Sequence, residues 1–423
     1  MLRKTVLALS LTLGVCTGAQ LLVIESVAVA KEKKEEPKKQ GVSAKVAKPL
    51  KGAQEALQKE QWDEALVKIR EAQAIPERTP YDDYQINEFL FFASARKADF
   101  VTAAAALEQV VNSGFVSEED KVERTRQVAT LNFQNKNYGK AVEYGNRWIE
   151  LTGGSAPQAY ELTGQAQYLL EDNAAAIQTL RKAVDVAKAA GQPVKEQWLQ
   201  VMLSAYDRTD DAAGVSNTLE ELVQVDVKRP EDRKKYWEQL LDTVYAKQEN
   251  DDRTTLEIHR LRNELGILRR ADDYGEMADI AASIGIPGEA VKALEKATTV
   301  EGSERDRPRR LARLAELRKL AETDRKSLPG LEKEAPAAKT GETYYALGVG
   351  YLSFDQYEPA AVALKQGMQK GGLKRPDEAQ ITLGRTLLKL NQKEEARQAF
   401  AAVPQSSKLA RIARLWAIYA NQA

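Results

Sequence analysis

The chain has 423 residues, a formal net charge of zero, 43% hydrophobic but only 7% aromatic residues, and 29% charged residues. With one histidine and one cysteine, it cannot build a histidine–cysteine metal cluster or a disulfide framework. It contains no Walker-type phosphate loop, GxSxG elbow or HExxH pair, and its length calls for several domains or a repeat array rather than one core.

The first thirty residues read as an export signal. Arg3 and Lys4 give a basic start, an apolar stretch follows from Val6, and Ala28-Val29-Ala30 offers small residues to a signal peptidase. Residues 1–30 are therefore expected to be a signal peptide. The alternative is a retained anchor, which Thr17, Gly18, Gln20 and Glu25 weaken by interrupting the apolar run. Cys16 lies inside the stretch, but Val15 before it departs from the small residue that a lipoprotein signal uses. Cleavage after Ala30 would leave no cysteine. Export without disulfides points to the periplasm of a Gram-negative bacterium. Residues 31–48, rich in Lys, Glu and Pro, have no apolar face and read as a disordered tether. The stretch from Lys31 to Lys51 carries a net charge of +5. Membrane contact is expected only through this basic tether, with a solvated spacer as the plainer alternative.

From Leu50 onward, helical-hairpin patterns recur. Ala53, Ala56, Trp62, Ala65, Ile69 and Ala72 form the first, and Val128, Ala129, Ala141 and Trp148 another. Tyr160, Gly164, Ala176, Leu180 and Ala183 form a third, and Tyr274, Met277, Ala278, Ala290 and Leu294 a fourth. Three stretches between these, Asn87–Ser113, Gln197–Val225 and Trp237–Leu268, fit less well but still read as hairpins. Arg307 to Leu331 reads as one helix that Leu328-Pro329-Gly330 breaks. Two units near the C-terminus match step for step. Gly348, Tyr351, Ala360 and Leu364 recur as Gly384, Leu387, Ala396 and Phe400, 36 residues later. Small residues at the glycine and alanine positions let two helices approach, and large ones fill the layer between them. Lys408–Asn421 reads as a single helix capping the last repeat.

This pattern resembles the tetratricopeptide repeat. The resemblance implies an all-α, right-handed superhelical solenoid of about ten hairpins. It divides into a partly degenerate array at 49–334, a linker at 335–341 and a C-terminal pair with its cap at 342–423. It also implies that the first helix of each unit lines a concave groove. Carried over, the groove residues are Arg126, Phe133, Glu161, Gln165, Tyr168, Tyr345, Arg385 and Lys389, with Thr130, Val349, Leu352 and Ile381 beside them. They mix aromatic, apolar and long polar side chains, as a peptide groove does. The lysine and asparagine clamp with which family members hold chaperone tails is absent, since Arg126 and Thr130, or Glu161 and Gln165, stand in its place.

Arg305–Lys326 is the strongest basic stretch. Arg309, Arg310 and Arg313 are its candidate patch for an anionic partner, with a solvated helix face as the alternative. Export argues against nucleic acid. The expected function is a non-catalytic periplasmic scaffold with no cofactor and no metal, binding a protein or peptide of the cell envelope. The chain also resembles exported repeat proteins that accompany TonB-type energy-transducing systems. The alternatives are a factor for assembly or export of envelope polysaccharide or outer-membrane protein, and an enzyme with a cryptic carboxylate pair. His259, with no partner motif around it, reads as structural.

Overall fold

The computed structural model describes residues 41–246, 250–300, 304 and 306–422. The signal peptide, Cys16 and the tether up to residue 40 lie outside the described residues. The tail of the tether does not: Ser43 starts a helix, and its amide donates to Asp82 Oδ1 at 2.8 Å. Val46 and Leu50 are buried there because the hydrophobic spacing of the first repeat already begins before Lys51.

The described residues form helices and turns, with no strand among them. Nine antiparallel hairpins follow one another. The first five are α1 (Ala44–Gln58) with α2 (Trp62–Gln73), α3 (Pro80–Arg96) with α4 (Phe100–Asn112), α5 (Glu118–Gln134) with α6 (Tyr138–Leu151), α7 (Pro157–Leu169) with α8 (Asn173–Ala189), and α9 (Glu196–Arg208) with α10 (Ala212–Leu222). Next come α11 (Pro230–Tyr245) with α12 (Asp252–Glu264) and α13 (Ala271–Ser283) with α14 (Pro287–Ala297). A single long helix, α15 (Arg307–Glu334), precedes α16 (Glu342–Ser353) with α17 (Tyr357–Lys370), α18 (Pro376–Lys389) with α19 (Lys393–Ala401), and the final α20 (Ala410–Ala420).

Eight of the nine hairpins close with one turn. Its central residue is left-handed: Glu60, Ala98, Lys136, Glu171, Asp210, Gly285, Asp355 and Asn391, with φ between 54° and 84°. The next amide bonds back across the turn, as Gln61 N does to Ala56 O and Gln392 N to Leu387 O. This satisfies carbonyls that a helix end leaves orphaned. Seven of these residues are not glycine, so each turn carries ~1–2 kcal/mol of backbone strain that the packed hairpin must offset. In the α11–α12 connection, Asn250 Nδ2 donates to Val244 O.

Within hairpins the glycines mark the closest approach. A Cβ on Gly348 would lie 2.6 Å from Leu364 Cγ, one on Gly384 2.5 Å from Phe400 Cε1, and one on Gly164 2.7 Å from Leu180 Cγ. The sixteen-residue step read from the sequence is therefore a packing contact. Pro329 does not end α15, in contrast to the sequence expectation. Leu314, Leu317 and Leu328 are buried along it, and Leu328 fills the space that Gly350 leaves open. The apolar seam outweighs the one backbone hydrogen bond that a proline removes. Of residues 335–341, Ala335 is buried and Gly341 packs backbone to backbone on Gly367.

The array has two parts. From α1 to α9, α1 touches α3, α5 touches α7 and α7 touches α9. Helices separated by an intervening one meet only where a stack is compressed, so the odd-numbered helices form the inner side. A ladder of polar links joins neighbouring units there or beside it: Glu88 to Arg124, Glu161 to Lys195, Tyr168 to Ser204, and Gln200 to Tyr236. Past α15 the inner partners become α14 with α16 and α16 with α18, and α12 meets α20. The chain thus closes on itself. No helix among the described residues is long and apolar enough to cross a membrane.

Candidate functional site

The closure is made by α20. Its Trp416 is 1% exposed, stacks on Phe400 at 5.9 Å between ring centroids, and donates from Nε1 to Glu257 Oε2 at 3.0 Å. Arg414 forms a two-pronged pair with Glu220, its Nη2 lying 2.9 Å from Oε2. Arg411 donates to Ser216 Oγ, and Gln422 links Trp237 to the Val223 carbonyl. These bonds join residues 159 to 199 positions apart. α20 packs on α19, and it also docks across the array on α10, α11 and α12.

Behind this latch lies a buried charge cluster. Arg260 is 6% exposed. Its Nε donates to Glu289 Oε1 at 2.7 Å, and its terminal nitrogens reach both Glu289 and Glu257. Arg385 stands 3.5 Å from Glu257 and 3.6 Å from Glu289. Burial pushes the Glu289 carboxyl up, but Arg260, then Arg385 and Lys292, hold it down at about 2. Glu378 pairs with Arg253 on the same side of the ring. Two cations and two carboxylates at the centre neutralise one another, which removes the penalty of a lone buried charge.

Above the cluster is a cavity of about 260 Å³ between α12, α13, α14, α16 and α18. Tyr345, Val349, Leu352, Arg385 and Lys389 line it, so the structure gathers the C-terminal members of the expected groove set into one site. Sequence reasoning missed Arg260, Glu289, Glu378 and Trp416. The repeat register assigns groove positions only within a unit, whereas these four come together through ring closure. Ile381 is fully buried, as its neighbour Leu383 nearly is, and does not line the cavity.

The N-terminal candidates are separate from this cavity. Arg126 is half-buried and pairs with Glu123 three residues earlier on α5. Phe133 rests edge-on against Tyr138 at 5.6 Å. Glu161 is engaged by Lys195, and Gln165 is half-buried on α7. Tyr168 is 6% exposed, bonded to Ser204 with Arg208 over its ring at 4.5 Å, so it is a part of the inter-repeat packing rather than an open groove residue.

On the α15 patch, Arg309 is exposed. Arg310 is buried and donates to Asp272 at 2.6 Å, because it packs α15 onto α13. Arg313 meets Glu316 at 3.0 Å and Asp279 at 3.7 Å. His259 is fully buried, with Nε2 2.9 Å from Glu276, and burial holds its pKa below the ordinary imidazole value. No group of three or more His, Cys, Asp or Glu side chains suited to a metal ion occurs among the described residues.

No protein-family model matches the sequence, and no curated protein matches it. Solved structures with similar folds include a tetratricopeptide repeat protein from Parabacteroides merdae, at 12% identity over 82% of this chain and 100% of that one, with a TM-score of 0.30. The TPR2AB domain of yeast Sti1 in a complex with pHSP90 gives 13% identity, 72% and 100% coverage, and a TM-score of 0.26. MamA from Desulfovibrio magneticus RS-1 gives 18%, 43% and 95%, and 0.29. The structural neighbours are thus tetratricopeptide-repeat proteins, and this chain's own turns and glycine contacts make it an all-α solenoid of tetratricopeptide-like hairpins.

Proposed function

We propose that the protein is a non-catalytic scaffold of the bacterial periplasm that holds a protein or peptide partner of the cell envelope along the inner face of α3, α5 and α7. The observation that carries it is the contrast between the two inner faces. In the C-terminal part α20 docks across the array, whereas among the described residues no helix docks across α1–α8 in this way, and Arg126, Thr130, Phe133 and Gln165 remain half-exposed.

The test is a crosslinking pull-down from periplasmic and membrane fractions with the chain from Lys31 as bait. A defined protein recovered by the native chain and lost on changing Arg126, Phe133 and Gln165 together to Ala would support both scaffold and site. Tyr168 is left intact because its loss would unpack two repeats. Recovery that survives the triple change would remove the site from this face, and recovery of no protein by a folded bait would sink the scaffold.

A further inference from the structure

The cavity over the charge cluster has a chemistry that a peptide groove on α3–α7 does not use. Its volume of about 260 Å³ lies just below the ~300–1,000 Å³ of ordinary ligand clefts, which suits a ligand of about one ring.

Most charges of the lining are paired. Arg260 faces Glu289, Lys292 faces Asp355 at 2.6 Å, and Lys389 faces Glu264 at 2.7 Å. A charged ligand would give up its hydration here and compete with these pairs for its counter-ion. Neutral groups that both donate and accept hydrogen bonds do not meet that penalty.

Two polar groups on one face of α18 keep unused capacity. Glu378 is 6% exposed and gives one oxygen to Arg253, but its Oε2 is buried without a hydrogen-bond partner. Arg375 stands 3.9 Å from that oxygen, too far for a hydrogen bond. A buried acceptor left unmade costs about 1–3 kcal/mol, so a group that donates to it gains what the free protein forgoes. Seven residues and roughly 10 Å along the helix, Arg385 meets its two carboxylates only at 3.5 and 3.6 Å. Its donor fork is therefore open to a further acceptor. Between them Tyr345 and Val349 from α16 and Tyr274 and Met277 from α13 supply flat and apolar surface. Burial, and then the charge of Glu378, raise the Tyr345 phenol, so it stays protonated beside Glu378 and Thr382.

We propose that this cavity binds a neutral, polyhydroxylated ring, one monosaccharide unit, with Glu378 Oε2 accepting from one hydroxyl, Arg385 donating to another, and Tyr345 bordering the ring. The ligand is either a free sugar or the end of a saccharide chain.

The test is isothermal titration of the full chain with glucose, galactose, N-acetylglucosamine and the N-acetylglucosamine dimer, and with lysine and glutamate as charged probes. Saturable binding of a neutral sugar is expected. It should weaken about tenfold in Glu378→Gln, the loss of one hydrogen bond to a charged group. Because Glu378→Gln also disturbs Arg253, Tyr345→Phe serves as the second variant. It keeps the ring and every ion pair, and should weaken binding several-fold with the thermal transition unchanged. A dimer that binds more tightly than the monomer identifies a chain end as ligand, and equal affinity identifies a free sugar. Tighter binding of lysine or glutamate than of any sugar would overturn the proposal, as would no sugar binding at high millimolar concentration. Sugar binding that neither folded variant alters would overturn it too, leaving Oε2 to an ordinary buried water.

Discussion

The run from α1 to α8 and the ring from α10 to α20 use the same hairpin and end in different architectures. In the first, each helix packs on the next one or two in sequence, and charged links between units join residues 32 to 36 positions apart, as Lys140–Glu108 and Arg124–Glu88 do. In the second, Trp416, Arg414 and Gln422 reach back 159 to 199 positions. A solenoid stabilised by neighbours alone behaves as a one-dimensional array. Closure adds contacts that form only when the whole ring is in place, and it encloses a polar cavity.

The largest expected effect is that of Trp416→Ala. Removing a fully buried indole that stacks on Phe400 and bonds Glu257 should destabilise the chain by ~3–5 kcal/mol. Hydrogen exchange should rise in α10–α12 and α18–α20 and stay unchanged in α1–α6. Uniform acceleration along the chain would show that the two parts are one cooperative unit.

Arg260→Met tests the cluster beneath. It leaves Glu257 with Trp416 and the distant Arg385 and Glu289 with Arg385 and Lys292, and loss of one partner of a buried pair costs about 3–5 kcal/mol. The half-exposed counterpart in the open run, Arg124→Met beside Glu88, should cost under ~1 kcal/mol. Urea denaturation of the two variants gives the difference directly, and equal losses would break the distinction.

Acid should open the ring first. The Glu289 carboxyl is held at about 2 against an ordinary 4.5. Its ionised form thus stabilises the fold above pH 4.5, and that contribution falls away as pH drops toward 2, by a few kcal/mol in total (~1.4 per unit). His259 acts in the same direction at higher pH. Its folded pKa is lowered, so below 6.5 the unfolded chain takes up the proton more readily and stability declines. Tryptophan fluorescence of Trp416 should report loss of the latch at a pH where circular dichroism still shows α1–α8 intact. Simultaneous transitions would contradict this.

The smallest contrast is predicted for the glycines. Gly164→Ala in the open run and Gly384→Ala in the ring should each lose ~1–3 kcal/mol by overpacking, since both face a side chain under 3 Å away. Comparable thermal shifts would show that hairpin packing is common to both parts; a much larger shift for Gly384 would tie that contact to the closure.

Much of this was legible in the chain. The sixteen-residue step from Gly348 to Leu364 and from Gly384 to Phe400 identified the close contact between two helices, because one glycine and one large residue suffice to set it. The same register placed Tyr345, Arg385 and Lys389 on a common inner face. It misplaced Tyr168 and Arg310, whose burial depends on Ser204 and Arg208 in one case and Asp272 in the other. It also ended a helix at Pro329, where a buried leucine seam carries the helix through.

Local sequence therefore determined the helices, their pairing into hairpins and the spacing of the glycines, since each depends on residues within one or two turns or one repeat. Only the tertiary structure decided that α20 returns to α12, that Glu257 and Glu289 share Arg260 and Arg385, and that Glu378 is left with an unused oxygen. Ring closure sums the small rotations between successive hairpins. No single repeat encodes that sum, and contacts across 159 to 199 residues exist only once it has come full circle.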